Sequence, residues 1–360
     1  MAKKLRVGLL FGGRSAEHEI SIISARNVAD ALDPDAFEVV PIGIDREGKW
    51  LTPASSYELL KSASSIQSVP SSESVALSPG SYGELTKFAG GSVGAVDVVF
   101  PILHGPFGED GTVQGLLKLA NVPFVGCGVL ASALAMDKDV AKRLLRDAGI
   151  PVARFVVMRR GEKAEYKKIA ADLGEVLFVK PANLGSSVGI AKVRSEKEFD
   201  TALEDAFRYD NKVLIEEYIQ GREIECAVLG SGDPEASVVG EVVVNHDFYS
   251  YEAKYLDEKG ATLEIPANIP EKTAAEVRAL AVKAFRTLEC EGMARVDLFL
   301  TKEGALYVNE LNTIPGFTNI SMYPKLWEAT GIPYKELIRR LIELAIERHE
   351  HDARLKTGRT

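Results

Sequence analysis

Cysteine is scarce. Cys127, Cys226 and Cys290 are the only three in 360 residues, far apart and never in a C-x-x-C pair. An odd, scattered set gives no disulfide framework, and buried free thiols in a reducing compartment are the expectation. No Cys/His spacing of a zinc site occurs. No apolar stretch approaches the ~18–20 residues needed to span a bilayer. The basic start Met1–Lys4 runs into a short strand-like segment that ends in glycine without a cleavage site, so no signal peptide is expected. Basic charge is also in deficit. With 43 Lys+Arg against 52 Asp+Glu, the net charge is -9, which argues against a nucleic-acid partner. Any anionic substrate must then be held by local lysines and a metal, not by the global field. Two glycine signatures are missing, G-x-G-x-x-G of dinucleotide cofactors and G-x-x-x-x-G-K-[ST] of P-loops. The expectation is a cytoplasmic protein with no membrane and no nucleic-acid partner.

What is present is a long, ordinary globular composition, 46% apolar and 26% charged, sized for two or three modules. Leu5–Phe11 reads as a buried strand, Phe37–Ile44 as a second strand and Val96–Leu103 as a continuous apolar strand. Helices are expected near Glu19–Leu32 and Thr112–Ala120, followed by a short strand at Pro123–Val125. This βαβ alternation implies a parallel, doubly wound first module. The Ser- and Gly-rich stretch Lys61–Gly94 reads as loops with short elements. A helix over Asp137–Gly149 ends before Pro151. Strands at Phe155–Met158, Val176–Pro181, Val188–Val193 and Val213–Tyr218 follow, with a helix near Ala164–Leu173. Ser195 heads a further helix to Tyr209, with Glu198 in capping-box position. Beyond Glu223 the pattern is mostly strands, with helices at Glu271–Leu288 and Tyr334–Glu347 and a polar, frayed tail from His349.

Chemistry concentrates in Arg295–Asn312. Arg295 and Asp297 alternate along one strand and share a face; Glu310 and Asn312 do the same on the next. Pairing the two strands assembles Asp297, Glu310 and Asn312 as hard oxygen donors for Mg²⁺, with Arg295 beside them to neutralise a transferring phosphoryl group. The plain alternative is a hairpin with solvated charges. The Pro-Gly turn at Asn312–Gly316 is where ligand loops sit. Lys180 closes an apolar strand as a point charge suited to phosphate. Gly185-Ser186-Ser187-Val188-Gly189 can turn backbone N–H groups and hydroxyls toward phosphate oxygens, or simply connect a hairpin. Strand alternation separates Glu216 from Glu217, so that one can face a pocket and read an adenine amino group, and nearby Glu223 can take ribose hydroxyls. An edge strand blunted by charge explains the same residues. Gly12–Ser21 follows the first strand at the ligand-facing edge of a doubly wound sheet, where Glu17 can bind an ammonium or serve as a helix N-terminal carboxylate. His104 sits at a second such edge.

These segments, G-G-x-S-x-E-H-E-I-S, H-G-x-x-G-E-D-G, K-P-x-x-x-G-S-S-V-G, Y-E-A-K-Y, R-V-D and N-E-x-N-T-x-P-G-F-T, occur in the order that resembles the D-alanine–D-alanine ligases, from Val7 to about Ile346. The resemblance implies an α/β fold, with α+β character in the ATP-binding part. A Rossmann-like pre-ATP-grasp domain (1–126) would precede a central (127–217) and a C-terminal (218–348) ATP-grasp module and a tail (349–360). It implies an enzyme that uses ATP and two Mg²⁺ or Mn²⁺ ions, with K⁺ left open, to phosphorylate one D-alanine and join a second, as a homodimer paired through the first module. In that scheme Glu17 holds the first ammonium, with His104 near its carboxylate. Lys138, Lys180, Ser187 and Lys254 bind ATP phosphates. Glu216 and the backbone of Tyr218 and Ile219 take adenine, and Glu223 the ribose. Asp297, Glu310 and Asn312 hold the metals, while Arg295 and the Gly316 N–H stabilise the tetrahedral oxyanion. Ser321 and Met322 receive the second carboxylate. Ser186 and Tyr255 tie a lid over Glu17, excluding water from the acyl phosphate. Tyr255 resembles the dipeptide-forming branch rather than ligases that take D-lactate. Met322 stands where other members often carry leucine, a volume-conserving difference. D-Alanine–D-lactate or D-alanine–D-serine ligation and a non-catalytic ATP-binding regulator are the rival readings.

Overall fold

The computed structural model describes residues 3–62, 74–186, 188–244, 261–356 and 358. Ser187, Lys254, Tyr255 and the expected lid segment around them lie outside the described residues.

The first unit is built on a parallel sheet. Leu5–Gly12 lies between Phe37–Ile44 and Val98–Ile102, and a bridge from Val99 to Phe124 extends it. Consecutive residues of the central strand enter different cores: Leu9 packs in one apolar cluster and Leu10 in another. That is why its buried part, Val7–Phe11, carries no charged residue, as parallel strands covered on both faces require. Gly12, with φ near +90°, ends the strand where a Cβ would meet the Ile44 carbonyl. Only glycine fits there, and the chain turns away into the helix His18–Ala31. The stretch expected to hold loops and short elements contains a small antiparallel sheet, Val75–Leu77, Glu84–Lys87 and Ser92–Ala95.

An antiparallel sheet follows, in the order Phe155–Arg159, Lys212–Glu217, Leu177–Pro181, Ala191–Val193. Helices Tyr166–Leu173 and Glu196–Tyr209 close one side over a core of its own. Ser195 accepts from the Glu198 N–H at 3.3 Å, and Glu198 reaches back to the Arg194 N–H at 2.7 Å, one residue earlier than in an ideal capping box.

The last sheet has five antiparallel strands, ordered Ala261–Glu264, Glu235–Val244, Gly221–Gly230, Gly292–Thr301, Leu306–Asn312. One face packs on the helix Glu271–Thr287. The other meets Met322–Thr330 and Tyr334–Ala353. Through those two helices its core is continuous with that of the parallel sheet: Val7, Phe11, Trp327, Leu337 and Met293 belong to one cluster.

The expected frayed tail from His349 is corrected in part, because the last helix runs to Ala353. Arg348 explains the extension. Its guanidinium donates to the Phe124 and Gly126 carbonyls at 2.7 and 2.5 Å and lies over the Phe124 ring, pinning the helix end to the first unit. Among the described residues no helix is long and apolar enough to cross a membrane.

Candidate active site

The register of the last two strands sets Asp297 opposite Glu310 and Arg295 opposite Asn312. Asn312 Nδ2 donates to Asp297 Oδ2 at 2.9 Å. The Arg295 fork donates to both Asp297 oxygens at 2.7 Å, and its Nε lies 2.8 Å from Glu225 Oε2 on the neighbouring strand. Burial opposes a charge on Arg295. The carboxylates of Asp297, Glu225 and Glu310 outweigh it and hold the guanidinium firmly protonated. The expected oxygen cluster is therefore assembled on one sheet face. Two carboxylates and an amide are the hard donors a divalent cation takes when phosphate and water complete its shell, so the residues present fit such an ion. Glu225 was missed in the sequence, although its spacing of two from Glu223 puts both on the same face of their strand.

Lysines converge on this face from the helix Lys138–Asp147, which Asp137 caps by accepting from Val140 N–H at 3.1 Å. Lys138 Nζ donates to the Leu184 carbonyl at 2.7 Å and lies 3.3 Å from Glu310 Oε2. It thus joins the loop after Lys180 to the acidic strand. One turn on, Lys142 is fully buried with Nζ 3.1 Å from Glu216 Oε1, while Lys180 Nζ lies 2.6 Å from Glu216 Oε2 and 3.4 Å from Asn309 Oδ1. Burial alone would raise the Glu216 pKa, but the charges of Lys142 and Lys180 hold it down at about 2. Lys142 had no signal beyond its place one turn after Lys138. Glu217, next to Glu216 in the strand, turns the other way to the Arg154 N–H and guanidinium at 2.7 and 2.8 Å, so the expected alternation of the two glutamates holds. Tyr218 is exposed beside Lys192, whose Nζ is 3.9 Å from its ring centre. Ile219, in the connection, and Glu223, at the start of the next strand, are half-buried.

Glu17, Gly105 and Gly185 meet at the mouth of the parallel sheet. A Cβ on either glycine would stand within 4 Å of the buried Glu17 carboxylate, which brings the first unit against the loop that carries Ser186, itself at φ +54°. His104 and Glu109 reach across to the Pro-Gly turn. His104 Nδ1 is 3.0 Å from the Ile314 carbonyl, and Glu109 accepts from the Ile314 N–H at 3.0 Å and from the Gly105 N–H at 2.8 Å. Burial of its carboxyl pushes Glu109 up to about 7, against the pull of His104 and the Gly105 N–H. His104 therefore spends one ring nitrogen on the turn; the other is buried and has no partner among the described residues. Gly316 follows, so close to Ser321 that a Cβ would stand 2.7 Å from its hydroxyl. Ser321 Oγ accepts from the Thr318 N–H at 3.0 Å and sits 2.8 Å from Thr318 Oγ1. Met322 opens the next helix, but its side chain is buried with the sulfur against Gly240. Only its backbone N–H, at a helix N-terminus, can receive a carboxylate.

The chain matches the family models described as D-ala D-ala ligase N-terminus over residues 6–127 and C-terminus over residues 144–343. It is 53% identical to the D-alanine--D-alanine ligase A of Escherichia coli (strain K12) over 99% of both chains, and 54% identical to the D-alanine--D-alanine ligase of Shouchella clausii, again over 99% of both. Among solved structures, the D-alanine-D-alanine ligase from Coxiella burnetii is similar with a TM-score of 0.85 at 40% identity, covering 98% of this chain and 97% of that one. The D-Ala:D-Ser ligase from Enterococcus faecalis is similar with a TM-score of 0.84 at 38% identity, covering 95% of this chain and all of that one. With two family models together spanning most of its length, relatives above half identity end to end, and the acidic strand pair, lysines and Pro-Gly turn in one place, the chain belongs to the D-alanine–D-alanine ligase family.

Proposed function

We propose that this enzyme joins two D-alanines to D-alanyl-D-alanine at the expense of ATP, supplying a peptidoglycan precursor. The observation that carries the reading is the convergence of Asp297, Glu310 and Asn312 with Arg295 and Lys138 on one sheet face. Phosphoryl transfer asks for positioning and charge neutralisation more than for covalent chemistry, and that set supplies both. Mg²⁺ or Mn²⁺ held by Asp297, Glu310 and Asn312 would neutralise phosphate oxygens. Lys138 and Lys180 bind the phosphates, Glu216 with the Tyr218–Ile219 backbone reads adenine, and Glu223 takes the ribose.

A carboxylate oxygen of the first D-alanine, whose ammonium Glu17 holds near His104, attacks the γ-phosphorus, and ADP leaves. The amine of the second D-alanine, its carboxylate at Ser321 and the Met322 N–H, then attacks the acyl carbon. Arg295 and the Gly316 N–H face the resulting oxyanion, phosphate departs, and the amide remains. Ser187 and Lys254 on phosphate, and Ser186 with Tyr255 against Glu17, complete the scheme on the strength of the resemblance. The cytoplasm and a homodimer through the first unit are the proposed setting.

The test is phosphate release with ATP, Mg²⁺ and D-alanine, with D-lactate, D-serine and L-alanine as second substrates and with and without K⁺. Release with D-alanine alone, giving the dipeptide by mass, is expected. Release only with D-serine or D-lactate moves the second substrate, and ATP binding without release under any condition makes the chain a regulator.

A further inference from the structure

Glu109 belongs to no motif position given a role above, yet its carboxylate joins two parts of the molecule far apart in sequence. One oxygen accepts from the Gly105 N–H at 2.8 Å, in its own loop, and the other from the Ile314 N–H at 3.0 Å. The same Ile314 residue is held at its carbonyl by His104 Nδ1 at 3.0 Å. Its side chain is buried in the core shared by the parallel and five-stranded sheets. Both polar groups of one peptide residue are thus tied to the loop 104–109, and its side chain is locked as well. That residue lies two positions after Asn312 and two before Gly316.

The two groups that Glu109 serves are both N–H donors. A side chain that pairs with both needs an accepting oxygen at each, and the glutamate carboxyl places one oxygen on each N–H. Glutamine in the same place turns its NH₂ toward one of them and leaves that N–H unpaired. The loop it anchors also carries Gly105, which lies against the Glu17 carboxylate.

We propose that Glu109 is a positioning residue: its carboxylate straps the Ile314 turn to the loop that backs Glu17, and so fixes the Gly316 N–H relative to the first D-alanine. This rests on the ligase reading above and assigns the link between its two halves, the ammonium side at Glu17 and the oxyanion side at Gly316. The strap does not touch the nucleotide. It governs the rate of the bound complex and not the affinity for ATP.

The experiment compares wild type with Glu109→Gln and Glu109→Ala by steady-state kinetics, thermal melting and amide hydrogen exchange at 312–317. A misplacement of about 1 Å costs on the order of 10²-fold in rate. The expected order of kcat is Glu, then Gln, then Ala, with losses on the order of 10-fold and 10²-fold and the ATP KM within about threefold of wild type. Exchange at Ile314 should rise in the same order. Unchanged kcat in both variants, or rates lost only in proportion to the fraction unfolded, overturns the strap. Unchanged exchange at Ile314 overturns it without any appeal to activity. No ligation by the wild-type enzyme would instead sink the ligase reading and leave the exchange result to decide the strap.

Discussion

Replacing Glu216 by glutamine removes a carboxylate that lies between two ammonium groups, 3.1 Å from Lys142 Nζ and 2.6 Å from Lys180 Nζ. Glu216 and Lys142 are each 2% exposed at the side chain, so solvent screens little of the interaction. The Glu216 pKa falls from an ordinary 4.5 to about 2 because the two lysines outweigh the cost of burial. At roughly 1.4 kcal/mol per unit, that places about 3 kcal/mol of stability in the ionised carboxylate at neutral pH. Lys142 points the other way, since its own pKa is lowered: burial costs its ammonium more than Glu216 returns. Removing the carboxylate strands both lysines, whereas removing Lys142 also removes a charge that burial penalises. Glu216→Gln should therefore lower the unfolding free energy by about 3 kcal/mol, as breaking a buried pair from one side does. Lys142→Met, which keeps the 2.6 Å contact of Glu216 to Lys180, should cost less, because the carboxylate keeps a partner and a charge penalised by burial is removed. Urea denaturation followed by circular dichroism at pH 7, without nucleotide, measures both. A depressed pKa stabilises above the unfolded value and the gain is lost as pH falls through the folded one. The gap between wild type and Glu216→Gln should thus close between pH 4.5 and about 2. A Glu216→Gln protein within about 1 kcal/mol of wild type, or a Lys142→Met protein equally damaged, refutes the reasoning.

Glu310→Gln should reduce turnover by about 10²-fold or more with an unchanged far-ultraviolet spectrum; wild-type rates in Mg²⁺ would defeat the metal assignment. Chelation should stop turnover but leave the melting temperature of the nucleotide-free protein where it was, because Asp297 is already bound by Arg295 and Asn312; a chelator-induced drop would mean the ion is structural. Tyr255→Phe should shift second-substrate choice toward D-lactate, and an unchanged D-alanine to D-lactate ratio in competition would sink that role.

The parallel sheet was legible because strands covered on both faces read as near-continuous apolar runs, as Val7–Phe11 and Val98–Ile102 do. The acidic strand pair was legible because alternation alone puts Arg295 with Asp297 and Glu310 with Asn312. Lys142, Glu225 and Glu109 were not, for a common reason. Each does its work across a contact between elements far apart in sequence: helix to sheet, strand to strand, loop to turn. Nothing local separates Lys142 from a solvated helix lysine. The helices Pro53–Ser62 and Val129–Met136 were also missed. The first does carry a start signal, Thr52 ahead of Pro53 at its first position, while the second is a single octet too short to show a period.

The apolar cores divide the molecule unevenly. Parallel and five-stranded sheets share one, while the four-stranded sheet keeps its own and is joined to the helix after Asp137 by charges: Lys142 to Glu216, and Lys212 to Asp137 and Asp139. The seam is a riveted joint, not a glued one: its charges are largely buried, so parting the four-stranded sheet from that helix would strand ions rather than bare oil, and it yields only where each rivet finds a new partner.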